Sequence, residues 1–356
     1  MNVQLKKPEM LTPAEHERWR QIVDCEPAFD SPYFHPEFTQ AVSDCRDDVE
    51  VAVISDGREP VGFFPFQRCG QQARPVGGQL SDAHGIIHDG SLQLEDGQLR
   101  QLLRQCGLTA WHYYYQIESQ IPAPHWQPQR DVAAVMNLTG GFAAYADRLP
   151  SKNVIRQTER KARKLAREHG AVDFLWHSLQ EEHLQQLMDW KSAQYAQSEI
   201  ADVFAFDWTR QLLRHLWQRT GNELQGLLSV MTVADRPVAL HLGLRAGAVL
   251  HQWFPAYDPA LRDYSPGMIH LLEMARQSAT HGVTRIDLGR MCHYKSRLAT
   301  DTVDVAAGNI DLQPVRRLLR HGYQQTFAWL RHSPLRSVTR VPGRMLRRLA
   351  ERREFQ

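Results

Sequence analysis

The chain has 356 residues, 42% of them hydrophobic, enough for two packed domains of ordinary size. Its 42 Lys and Arg nearly balance 40 Asp and Glu, and the resulting net charge of +2 supplies no global field pointing to DNA. Its five cysteines are odd in number and form no CxxC pair, which argues against a zinc knuckle or a disulfide framework.

The opening MNVQLKKPEMLTPAEHERW lacks the apolar centre of a signal peptide, and no apolar run is long enough to span a bilayer, so a cytoplasmic protein is expected. VEVAVISDGREPVGFFPFQ, residues 49–67, reads as two strands around a turn carrying Asp, Arg and Pro. Pro150-Ser151 open a helix with an apolar stripe of Val154, Ile155, Thr158, Ala162 and Leu165 and with seven basic residues against two acidic ones. Ser178 and Glu181 have capping-box spacing ahead of Leu184, Leu187 and Met188. Asp207 is placed to cap a helix carrying Leu212, Leu213, Leu216 and Trp217 and ending before Gly221.

LLSVMTVADRPVALHLGLR, residues 227–245, resembles the first hairpin, and it continues through Ala246-Gly247 into a third strand, AVLHQWFPAY. A helix then begins near Pro266 and stops at Gly282, and VTRIDLG forms a further strand. The tail beyond Pro314 carries eleven arginines and two acidic residues, with Val315, Leu318, Leu319, Tyr323, Phe327 and Leu330 at helical spacing. It reads either as a solvated helix or as a contact for an anionic membrane surface. The hairpin repeat suggests tandem domains, and helices mixed with hairpins imply an α+β fold with a mixed, mostly antiparallel sheet. The expected limits are 1–145, 146–312 and a basic amphipathic tail at 313–356, with the boundary falling between Leu138 and Ser151.

The stretch YSPGMIH at 264–270 puts Ser265, Pro266 and Gly267 where a strand turns into a helix. A helix start offers unpaired N–H groups and a partial positive charge to a phosphate. Pro266 suits a first turn, Gly267 leaves room for a close approach, and Ser265 either caps the helix or hydrogen-bonds a ligand. Met268, with Ile269, Leu272 and Ala275, buries the helix face.

Taken together, Trp253 to Tyr257, Tyr264 to Gly267, Ile286 to Gly289 and Tyr294-Lys295 resemble the GNAT acyltransferase superfamily. The closer resemblance is to the CelD/BcsL-like acetyltransferases of cellulose and exopolysaccharide clusters. SPYFHPEF at 31–38, the first hairpin and GGQLSDAHGIIHD at 77–89 extend it over roughly residues 30–300. The family is distantly related to FemAB-type aminoacyltransferases, which also pair two GNAT-like domains. The resemblance implies tandem GNAT-like domains and an acyl donor, acetyl-CoA or another acyl-CoA, lying between AVLHQWFPAY and VTRIDLG. It implies donor contacts from Trp253, Tyr257, Tyr264, Ser265, Pro266, Gly267 and Met268. Arg262 and Gly267 do not stand at the usual GNAT phosphate-loop spacing, and this keeps an aminoacyl-tRNA donor as the alternative.

Transfer to an amine needs a neutral nucleophile, a polarised carbonyl and a protonated leaving group. Asp287 is the candidate proton acceptor, or else it caps the turn after its strand. Lys295 is the candidate for oxyanion or substrate-phosphate contact. Tyr294, Tyr257 and Tyr264 are candidate proton donors to the thiolate, and His251 and His293 are spare proton carriers. Ser81, Asp82 and His84 are acceptor-site candidates. Trp190, Lys191 and Tyr195 could line a sugar cleft, and Arg156 and Arg160 could grip a diphosphate. Asp82, His84, His88 and Asp89 match no trusted metal-ligand spacing, and no metal is expected. No GxSxG, P-loop or strand-linked GxGxxG is present, so hydrolase, NTPase and dinucleotide readings lack support.

The expected function is N-acyl transfer from acetyl-CoA to an amine of a small-molecule or lipid-linked sugar in envelope or exopolysaccharide synthesis. The alternatives are a FemAB-like tRNA-dependent transferase and a non-catalytic scaffold at a membrane complex.

Overall fold

A computed structural model describes residues 1–313 except 58, 93, 121–125, 127, 220 and 222. The expectations for the tail fall outside the described residues. The N-terminal half comprises β1 (Asn2–Lys6), α1 (Pro13–Cys25), α2 (Pro36–Ser43), β2 (Val49–Ser55), β3 (Pro60–Cys69), β4 (Gln72–Arg74), β5 (Ile87–His88), α3 (Asp96–Gln105), β6 (Ala110–Ile117) and β7 (Gln129–Asn137). Then follow α4 (Gly141–Arg148), α5 (Asn153–His169), β8 (Val172–Leu175), α6 (Glu181–Ser198), α7 (Asp207–Gln218), β9 (Gln225–Val233), β10 (Arg236–Ala246), β11 (Val249–Tyr257), α8 (Pro266–Gln277), β12 (Arg285–Arg290) and β13 (Asp301–Asp311).

The described strands form one sheet of mixed α/β type, in the order β1-β2-β3-β4-β6-β13-β7-β12-β11-β10-β9-β8, with β5 beside β3. Named neighbours are antiparallel except β4 with β6 and β11 with β12. The late strand β13 pairs with both β6 and β7, and β7 also pairs with β12, so the two halves share a continuous ladder.

The expected hairpins form as β2–β3 and β9–β10. Ala234 and Asp235 both take positive φ at the second turn, the backbone that a two-residue hairpin demands. Leu212, Leu213 and Leu216 of α7, Leu184 and Leu187 of α6, and Phe38 of α2 bury one sheet face together with Leu240, Leu242 and Phe254. On the other face Leu271 and Leu272 of α8, Tyr145 of α4 and Val154 of α5 pack over Leu250 and Ile286. Each fully buried leucine contributes about 2 kcal/mol.

Two expected caps differ. Ser178 does not close a capping box; its hydroxyl pairs with His183 Nδ1 at 2.8 Å, and α6 starts two residues later behind Gln180. Asp207 is the first residue of α7 rather than its cap, a position where its charge still favours the helix start.

Candidate functional site

The β11–β12 ladder is short. Val249 pairs with Arg285, Leu250 with Ile286 and His251 with Asp287; β11 then runs on to Tyr257, and β12 to Arg290, without a further pair between them. Both strands are irregular where they part. The β10–β11 register shifts between Leu242 and Leu244, and the β12–β7 register shifts between Asp287 and Gly289. Bulges sharpen local twist, and here they open a splay between two parallel strands.

The start of α8 lies beside the open part of β11. Met268 and Ile269 N–H groups return to Ser265 O at 2.9 and 3.2 Å, which leaves the N–H of Gly267 without an acceptor among the described residues. A Cβ on Gly267 would meet only the Tyr257 ring, at 3.5 Å, so the space above the helix start is open. Ser265 takes a left-handed backbone and does not cap the helix with its side chain. Its hydroxyl instead accepts from Lys161 Nζ of α5 at 2.7 Å, bringing a cation to the helix start. Pro266 and Met268 pack downward, Met268 against the apolar face beneath α8.

Tyr264 turns toward α5, where its hydroxyl donates to Glu168 at 2.7 Å and meets His169 Nε2 at 3.1 Å. The Glu168 hydrogen bond raises the Tyr264 hydroxyl, so this tyrosine is committed to the helix rather than to the splay. Arg156 and Arg160 are exposed on α5 and, with Arg163 and Arg167, recur at helical spacing opposite its buried face. Arg156, Arg160 and Arg163 have no acidic partner among the described residues, whereas Arg167 pairs with Glu168.

On the opposite sheet face the loop 81–84 of the N-terminal half meets the splay. Several contacts fix this loop. His84 N donates to Tyr115 O and Ile117 N to His84 O, docking the loop on β6. Gln120 grips Ile86 through N–H and C=O at 2.9 and 2.7 Å. Ser81 is buried, and its hydroxyl donates to Ala83 O at 2.9 Å, which makes it a loop brace. His84 is a core residue, contrary to expectation: its Nε2 accepts the Trp111 indole N–H at 3.0 Å, and burial lowers it to about 3.

Asp82 is the loop residue that reaches the splay. Its Oδ2 lies 3.1 Å from His251 Nε2, and Trp253 Nε1 donates to Leu80 O at 2.8 Å just beside it. Trp253 therefore ties β11 to the loop. A Cβ on Gly289 would stand 2.6 Å from Asp82 Oδ2 and 3.6 Å from His251 Cε1, so the pair sits directly over the bulge glycine. Tyr33 stacks edge-on against the His251 ring at 5.0 Å, and burial, then the Asp82 and Asp287 charges, raise its hydroxyl well above the usual range.

Asp287 does not cap the following turn. Its two oxygens accept from Arg285 Nε and Nη2 at 2.7 and 3.0 Å, and the same guanidinium reaches Asp30. Lys295 and Tyr294 follow β12, the ammonium lying 5.9 Å from the ring centroid. Burial lowers Lys295 against the opposing pull of Asp82, and partial burial pushes Tyr294 up to about 12.

Trp190, Lys191 and Tyr195 line the inner side of α6. Lys191 is 8% exposed, donates to Gln194 at 3.0 Å and is lowered to about 8 by burial. Burial, then Asp202 and Asp82, raise Tyr195. Asp89 pairs with Arg18 while His84 holds Trp111, so these side chains face separate partners. Among the described residues no group of three or more His, Cys, Asp or Glu is set to hold a metal ion.

Tyr33, Lys161 and Arg285 also border the site, and no motif in the sequence singles them out as site residues. Pro255 within β11 is the sequence signal of the splay, because proline seldom lies where a strand is paired on both sides, and here, among the described residues, it pairs with His241 of β10 alone.

Residues 152–296 match the acetyltransferase (GNAT) domain family. No curated protein matches the chain. Among solved structures, FemX superposes with a TM-score of 0.58 at 9% identity, over 90% of this chain and 99% of that one. The C-terminal domain of a lysylphosphatidylglycerol synthetase from Agrobacterium fabrum gives 0.51 at 11% identity, over 89% and 96%. A Bacteroides thetaiotaomicron protein of unknown function gives 0.53 at 11%, over 86% and 100%. At these identities the likeness is one of fold.

Proposed function

We propose that the protein is an acyltransferase that moves an acyl group, acetyl from acetyl-CoA in the simplest case, to an amine on a sugar or envelope precursor. The carrying observation is the β11–β12 splay that ends at His251/Asp287 with the Gly267 N–H open beside it. An extended thioester arm fits an unpaired strand edge, since its amides can complete the missing ladder. A diphosphate suits the α8 start, with the helix dipole and Lys161 both favouring negative charge. Tyr294, held protonated at neutral pH, can give a proton to the leaving sulfur. Calorimetric titration with coenzyme A tests this reading. Gly267→Val, which fills the open space, should weaken binding at least tenfold without unfolding the protein; unchanged affinity would contradict the placement.

A second reading has its own support. The exposed arginine row of α5 is longer than one diphosphate needs, and it favours a donor carried on RNA. The fold is shared with FemX and with the C-terminal domain of a lysylphosphatidylglycerol synthetase, an enzyme named for joining lysine to a lipid, and this supports the same reading. RNA binding that weakens steeply with salt, and that is lost when Arg156, Arg160 and Arg163 are replaced by Glu, would select it over acyl-CoA.

A further inference from the structure

We infer that His251 is the proton acceptor for the attacking amine and that Asp82, contributed by the other half of the chain, is its positioning residue. The inference rests on the acyl-transfer reading for its reaction, though not for its geometry. A carboxylate can only accept, so Nε2 of His251 carries the proton of the 3.1 Å contact and a neutral ring then presents its lone pair on Nδ1. No hydrogen bond engages Nδ1 among the described residues, whereas both oxygens of Asp287 are held by Arg285. With both oxygens of Asp287 already accepting from Arg285, the group left to meet the amine is His251, which stands across the ladder from it at the last pair before the strands part.

The placement is enforced from several sides. Gly289 has φ of +71°, and any side chain there would strike Asp82. The Asp82 loop is docked on β6 through His84 and clamped by Gln120. His251 itself is 2% exposed, so the ring is fixed between Asp82 and Tyr33 rather than free to rotate in solvent. The charged and titratable groups around it are Asp82 from the loop, Asp287 from β12, Tyr33 from the turn before α2 and His241 from β10; the Asp82 charge also raises Lys295 and Tyr115.

In the reaction the amine nitrogen bonds the acyl carbon and one of its protons passes to His251. The C–S bond breaks with its electron pair on sulfur, and the thiolate takes up one proton. The net change is one proton moved from nitrogen to sulfur.

The test uses the full chain, as wild type, His251→Gln and Asp82→Asn, with acetyl-CoA as donor and hydroxylamine as a small amine probe. Histidine nitrogen NMR should show the Nε2–H tautomer at His251 in the wild type and lose that preference in Asp82→Asn. Thiol release should fall at least about 100-fold in His251→Gln, with acetyl-CoA affinity unchanged. The alkaline plateau of the wild-type pH profile should disappear in that variant. An Nδ1–H tautomer, a rate within twofold of wild type, an unchanged profile, or wild-type binding without thiol release would each overturn the inference. If acetyl-CoA does not bind the wild type, the acyl-CoA reading fails separately, and the tautomer measurement alone then decides the Asp82–His251 pairing.

Discussion

Arg285 holds Asp287 through two hydrogen bonds, of 2.7 and 3.0 Å, and extends its remaining nitrogen to Asp30, so one guanidinium on β12 joins the splay strand to the N-terminal half. The charges of Asp287 and Asp30 hold Arg285 above the usual guanidinium range despite its burial. It also lines an open groove of about 650 Å³ with Asp30, Asn137 and Thr284 between the halves.

Arg285→Met should therefore leave two neighbouring carboxylates unpaired. Asp287 is mostly covered and Asp30 only partly, so the loss should be about 3 kcal/mol, toward the lower end for a broken buried pair. Urea unfolding measures this. A loss under about 0.5 kcal/mol would show that the bridge does not hold the halves together.

Gly289→Ala joins two penalties, a side chain at φ of +71° and a Cβ 2.6 Å from Asp82 Oδ2. The expected cost is about 1–2 kcal/mol, with Asp82 displaced from His251. Chemical denaturation and the His251 tautomer signal should change together. Gly267→Ala, where φ is ordinary and space is open, should cost far less stability.

Three buried histidines make stability depend on acid. Burial lowers His84 to about 3 and His270 to about 4, and it holds His241 well below its ordinary value. An unfolded histidine titrates near 6.5. Between that pH and the folded values the unfolded chain binds more protons, so the stabilisation is fully present above about 6.5 and is lost as pH falls toward 4. His84 and His270 each contribute on the order of 3 kcal/mol over that range. Denaturation midpoints from pH 7.5 to 4.5 check the sign, and His270→Phe should flatten the slope. A flat wild-type profile would contradict neutral burial.

Lys161→Ala removes the cation at the α8 start. Coenzyme A affinity should drop about tenfold while the melting temperature stays within about 1 °C, because the lysine touches only the Ser265 hydroxyl there. An unchanged dissociation constant would remove Lys161 from the donor site.

The sequence exposed most of the fold because its signals are local. The paired hairpins, the α7 leucines and the Pro266 helix start each follow from short-range pattern, and each forms. The site was harder to read because its contacts join distant positions. Asp82 and His251 are 169 residues apart in the chain, and nothing near either names the other. His84 looked like its neighbour Asp82 in the loop, yet one is a core residue on Trp111 and the other faces the splay, a difference set by β6 packing. Asp287 stood at a strand end where a free carboxylate was plausible, but Arg285, two residues earlier, projects from the same strand face and claims it.

The central claim, that the splay and the α8 start form an acyl-CoA site, is tested most directly by melting the purified protein with and without acetyl-CoA, coenzyme A and a longer acyl-CoA. A ligand at 100 times its dissociation constant stabilises by about 2.7 kcal/mol, which should raise the melting temperature by roughly 3 °C or more. The account predicts that rise with wild type and its loss in Gly267→Val. No rise with any of the three ligands would contradict it.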